Sequence, residues 1–116
     1  MSNQCGVNMS SIPEKDWKLF RKLQSELTAK ACEIIFRQVN DIANERAGKE
    51  HQSYLDLYRL IETEDAKIAE MFNNPTRNNV ILKIVSLKKY DVLSIEQFQM
   101  FSEETQGVVN RILNLN

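Results

Sequence analysis

The chain has 116 residues, of which 42% are hydrophobic and 27% charged, with a formal net charge of −1. This is the composition of one soluble globular domain with enough apolar side chains for a core that needs no disulfide staples. The near-neutral balance argues against a generally basic nucleic-acid binder, and no apolar run approaches the ~18 residues of a membrane span.

Residues 1–10 are polar and aperiodic and read as a disordered tail, which leaves 11–116 as a single helical domain. The tail has no basic stretch followed by an apolar run, so no signal peptide is expected and the reading is cytoplasmic. Cys5 in this tail and Cys32 beside Ala31 read as free, reduced thiols.

From Glu14 to Ala47 there is neither glycine nor proline, with Pro13 before the stretch and Gly48 after it. Proline just inside a start and glycine just past an end predict one long helix, on the order of 50 Å. Ser11 with Glu14 fits a capping box. Phe20, Leu23, Leu27, Ala31, Ile34, Ile35, Val39 and Ile42 recur in steps of three and four and form its apolar stripe. Trp17, Leu19, Cys32, Phe36 and Ala43 widen that stripe beyond a coiled-coil seam, which predicts bundle packing.

Gly48 ends the first helix, Lys49 to Gln52 read as the turn, and a second helix is expected from Ser53 to Phe72. Its apolar face is Tyr54, Leu57, Tyr58, Ile61, Ile68 and Phe72. Asn73-Asn74-Pro75 stops it, because proline cannot continue the ladder. A third helix follows Thr76, a fitting N-cap. Its run Val80 to Leu87 is apolar nearly all round, as a buried central helix is. The run is short and β-branched enough for a strand, but no other segment offers a partner strand. Leu93 to Phe98 combines an N-cap serine, a capping-box glutamine and a hydrophobic staple, predicting a short helix over 95–101. Ser102 then caps a last helix that opens on Glu103-Glu104. The expected fold is all-α, a bundle of about five helices. The long first helix runs antiparallel to the second, and three short helices form a compact C-terminal group. The expected core includes Phe20, Leu23, Leu27, Ile35, Leu57, Ile61, Ile81, Ile84, Val85, Phe98, Phe101 and Ile112.

Few patterns in this chain carry chemistry. The single histidine, His51, falls in the expected turn, and no Cys-x-x-Cys, His-x-x-x-His or Glu-x-x-His spacing is present, so neither metal nor cofactor is expected. The serines at 11, 94 and 102 read as caps, and no nucleophile has an evident base. The carboxylates Glu62, Glu64 and Asp65 read as a solvated helix face, and the three isolated glycines build no phosphate cradle. No catalysis is expected.

Two basic clusters remain. Lys15, Lys18 and Lys22 lie at helical spacing with Arg21 adjacent, although Glu14, Asp16 and Glu26 dilute their charge. Trp17 beside Lys18, Arg21 and Lys22 reads as an interface anchor or as a cover for the open end of the bundle. Arg77, Lys83, Lys88 and Lys89 flank the third helix and form a candidate nucleic-acid patch.

The opening Glu14-Lys15-Asp16-Trp17-Lys18-Leu19-Phe20-Arg21 resembles that of a group of short, all-helical bacterial proteins to which no function is attached. The similarity resumes around Tyr54, Leu57, Arg59 and Ile61. It is clearest at Leu93 to Phe98 and Phe101 to Glu104. The resemblance implies a helical fold and no chemistry. This chain departs from the group after Lys22, where the group places a second tryptophan and an acidic–aromatic run.

A first helix of this length has more apolar surface than the shorter elements can cover. The functional expectation is therefore a cytoplasmic protein–protein interaction module, a homodimer or a binder of another protein. A small nucleic-acid-associated regulator is the alternative.

Overall fold

The computed structural model describes residues 12–114. Within them the chain forms five α-helices and no strand: α1 (Glu14–Asn44), α2 (Glu50–Phe72), α3 (Val80–Lys89), α4 (Ile95–Gln99) and α5 (Glu103–Ile112). The expected 1–10 tail and the Ser11 half of the proposed capping box lie outside the described residues.

α1 is one continuous helix of 31 residues, about 46 Å at 1.5 Å per residue. The molecule is elongated to match, at 65 × 28 × 23 Å. Pro13 is the N-cap rather than a helical residue and offers no side-chain cap; its carbonyl accepts from the N–H groups of Asp16 and Trp17 at 2.9 and 3.2 Å.

Several expected boundaries move. α1 ends at Asn44, not Ala47, and α2 starts at Glu50, not Ser53. The turn is closed by the Lys49 N–H donating to the Arg46 carbonyl at 2.8 Å and by the Gly48 N–H donating to the Glu50 carboxylate at 3.2 Å. Gly48 supplies the left-handed conformation this closure needs, at φ +83°. His51 consequently belongs to the first turn of α2. α3 is helical, as expected, but its N-cap is Asn79. Thr76 acts one turn earlier: its N–H donates to the Asn79 side chain at 2.8 Å, and its hydroxyl accepts from the Asn79 N–H at 3.2 Å. α4 stops at Gln99 rather than 101, because Met100 and Phe101 turn back onto the carbonyls of Gln97 and Phe98. Its capping box forms as expected, with Ser94 and Gln97 satisfying each other's backbone N–H at 3.0 Å.

The core is gathered at one end. Phe20, Leu23, Leu27 and Ala31 from the first half of α1 share it with most of α3 and with Phe98, Phe101 and Val109. Of the expected core, Ile35 and Leu57 are only half-buried, and Ile61 and Ile112 are exposed. The reason is coverage. α3, α4 and α5 are short and pack where α1 begins and α2 ends, so the rest of the α1–α2 pair has only two helices and projects as an arm.

Polar connections hold the C-terminal group in place, two of them at helix ends. Asp16, only 1% exposed, accepts from the Ser102 N–H at 2.9 Å, the Ser102 hydroxyl at 2.6 Å and the Thr105 hydroxyl at 2.5 Å. A buried carboxylate is tolerable only with such donors, and it sits at the positive end of the α5 macrodipole. At the other connection, Lys83 of α3 donates to the last carbonyls of α2, those of Ala69 and Glu70, at 3.3 and 3.1 Å. α2 has no basic residue in its own last turn, so α3 provides the cation that terminus favours.

Candidate functional site

The arm has two unlike flanks. On α2 the line Ser53, Leu57, Leu60, Glu64, Ile68, Met71 is buried or half-buried and faces α1. On α1 the corresponding line is Ala31, Ile35, Gln38 and Ile42. Each residue advances about 100° around its helix. In an antiparallel pair, positions advanced by the same angle from their contact lines emerge on the same side. Phe36 on α1 and Tyr54, Tyr58 and Ile61 on α2 therefore share one flank. They are 59%, 63%, 58% and 47% exposed respectively. His51 joins them, its ring stacked on Tyr54 at 6.4 Å between centroids. Cys32, Val39 and Ala43 of α1 complete an uncharged surface from His51 to Ile61. Beyond it, Glu62 and Asp65 mark the end towards the C-terminal group.

The opposite flank is solvent-like. It carries the helical ion pairs Glu33–Arg37 and Asp56–Arg59. It also meets the C-terminal group at a notch of about 270 Å³ walled by Ile34, Lys67, Lys89 and Tyr90. Lys67 and Lys89 both lie over the Tyr90 ring, at 5.3 and 4.8 Å, and each is paired with a carboxylate, Glu64 or Glu70, at 3.0 Å. The two lysines are thus occupied by carboxylates of the same chain, and Asp91 adds a carboxylate to the lining.

The N-terminal cluster comes together differently from its sequence order. Trp17 is buried, at 9% exposure, and stacks on Phe20 at 6.4 Å. The guanidinium groups of Arg21 and Arg77 lie 5.4 and 5.3 Å from its ring. Arg77 is also held by two bonds to Glu14, at 3.2 and 3.1 Å, and this guanidinium keeps the Glu14 carboxyl below its usual range. Lys18, Arg21 and Lys22 are exposed around this indole. Asp16, whose sequence position suggests a diluting surface charge, is instead turned inward to α5.

The second cluster is divided. Arg77 belongs with Trp17, and Lys88 lies over Phe98 at 4.6 Å. Lys83 and Lys89 are occupied at the end of α2. There Glu70 accepts from the Ser86 hydroxyl at 2.6 Å, the Tyr90 hydroxyl at 2.8 Å and Lys89 at 3.0 Å. The Ser86 bond, with the Tyr90 and Lys89 bonds after it, pulls the Glu70 carboxyl down to about 2.

No group of three or more potential metal ligands occurs among the described residues, and none of their helices is long and apolar enough to cross a membrane. Cys32 is a free, half-buried thiol. The aromatic flank is the feature the sequence reading missed. It placed Tyr54, Tyr58 and Ile61 in the core face of α2 and left out Leu60 and Met71. The available signal is that α2 holds two apolar lines at helical spacing, and a two-helix arm can bury only one. Compared with models of known families, with curated proteins and with solved structures, the chain matches none.

Proposed function

We propose that this protein is a non-catalytic interaction module that self-associates through the exposed flank of its α1–α2 arm. One observation carries the reading. Three aromatic side chains and an isoleucine stand in solvent on a single uncharged side of a two-helix projection, where a monomer gains nothing from them. Large exposed aromatics are costly to hydrate and are the side chains that dominate protein interfaces. The ion pairs confined to the other flank support the same orientation, since burying them against a partner carries a desolvation cost. The cytoplasm is the natural setting for this reading, consistent with the free Cys32 thiol.

The nucleic-acid alternative has less support, because Arg77, Lys83 and Lys89 are each held by an acid or a carbonyl of the same chain. Sedimentation velocity across the micromolar range tests the reading. Weight-average mass should rise with concentration in the natural protein, and Tyr54→Ser with Ile61→Ser should hold it at the monomer value. A monomer at every concentration refutes self-association.

A further inference from the structure

The exposed side of α2 sets hydrogen-bond donors before Tyr58 against acceptors after it. His51 lies seven residues before it and Asp65 seven after; Tyr54 lies four before and Glu62 four after. Seven residues are two helical turns, so His51, Tyr58 and Asp65 fall on one line. From this pairing of donors with acceptors we infer a specific partner and register, resting on the self-association reading above. The occupant of the flank is a second copy of this chain, its arm antiparallel to the first, with a twofold axis crossing at Tyr58.

In that register, residue positions facing each other across the two α2 helices sum to twice 58. Tyr58 meets its own symmetry mate. His51 comes level with Asp65 of the other copy, so an imidazole N–H faces a carboxylate acceptor. Tyr54 comes level with Glu62 of the other copy, which places a phenol beside an acceptor. On the side nearer α1, Tyr54 falls beside Ile61 and within a turn of Phe36 of the second copy. Each exposed aromatic thus gains an apolar neighbour, and neither acid is buried without a donor opposite. The C-terminal groups sit on the other flank and at opposite ends, so they do not collide. The product is a four-helix bundle, which covers the half-buried inner faces that two helices leave open.

The contact area limits how tightly this partner is held. The arm is on the order of 20 Å long and two helices, about 20 Å, wide. A flat footprint is then roughly 400 Å² per copy, or ~800 Å² in all, below the ~1,200–2,000 Å² of stable interfaces. A weak, reversible dimer is expected.

The test uses full-length protein carrying Cys5→Ser and Cys32→Ser. In this background Tyr58→Cys places one thiol at the axis, and Arg59→Cys places one on the other flank. Mild oxidation should give a covalent dimer for Tyr58→Cys and little for Arg59→Cys, with circular dichroism confirming that both remain helical. In the original chain, Asp65→Lys should weaken the dimer at least tenfold by sedimentation, and His51→Asp added to it should recover most of that loss. If the protein dimerises while Tyr58→Cys fails to cross-link and the charge exchange fails to rescue, this register is overturned and self-association stands. If the natural protein is monomeric at every concentration, the flank serves a different chain and both the register and self-association fall.

Discussion

Replacing Asp16 by asparagine isolates the contact that locks α1 to the start of α5. The substitution keeps the shape of the side chain but turns one acceptor oxygen into an NH₂ donor. The remaining oxygen keeps the Ser102 N–H bond. The NH₂ then faces the hydroxyls of Ser102 and Thr105, both of which donate to Asp16 Oδ2. The Ser102 hydroxyl already accepts from the Thr105 N–H at 3.2 Å, which restricts how far it can reorient. Hydrogen bonds to an ionised group contribute about 1.5–3 kcal/mol each. Loss of two in a buried site is expected to cost about 3 kcal/mol, a fall in Tm of about 12 °C for a domain of this size. Thermal and urea unfolding followed by far-UV circular dichroism measure it. Thr105→Val alone should cost about 1.5 kcal/mol, and much less when added to Asp16→Asn, because its partner is already lost. An Asp16→Asn protein within about 0.5 kcal/mol of the original, the range of an inert surface change, would refute the role assigned to Asp16. Strict additivity with Thr105→Val would do the same.

Acid sensitivity should trace in part to Glu70. Its folded pKa of about 2 lies below the ordinary 4.5, so its contribution is full above pH 4.5 and fades as the pH falls towards 2. With the carboxylate side chain 41% exposed, solvent screening reduces that contribution to about 1 kcal/mol. Urea titrations at pH 6 and pH 3 should show Glu70→Gln losing more stability at the higher pH than at the lower. Two glycines should respond with opposite signs in calorimetry. Gly48→Ala destabilises by about 1 kcal/mol, because φ +83° strains an alanine even with no atom within 4 Å. Gly107→Ala, inside α5 with only the Arg111 side chain near, at 3.9 Å, stabilises by about 0.5–1 kcal/mol. Tyr54→Ser should shift the sedimentation profile towards monomer while leaving unfolding of the isolated chain within about 0.5 kcal/mol, since its ring lies in solvent.

Helix number, order and the caps of α4 and α5 were legible because they are written locally. Ser94 with Gln97, Ser102, Gly48 and Pro75 each act within a few residues of their own position, and each acts in the structure close to where local rules put it. The continuity of α1 followed from an uninterrupted stretch of helix-compatible residues. What was not legible depends on which helices meet. Asp16 stands among lysines in sequence, and only the fold of α5 against α1 shows that its carboxylate is enclosed. Arg77 sits beside lysines of α3 in pattern, yet it reaches Glu14 and Trp17 across 63 and 60 residues of chain. Tyr54, Tyr58 and Ile61 satisfy the periodicity of a core face as well as Leu57 does. Their exposure follows from α3, α4 and α5 being too short to extend along the arm, a length mismatch that periodicity does not reveal.

The crowding of the hydrophobic core at one end implies that the protein does not loosen uniformly. Backbone amides near Phe20, Ile84 and Val109 are shielded by several helices and should exchange with deuterium only through global unfolding. Those between Val39 and Leu57 rest on a single helix pair and should open independently, starting at the Gly48 bend. Opening of this kind begins at the tip of the projecting pair and leaves the packed end that anchors it undisturbed.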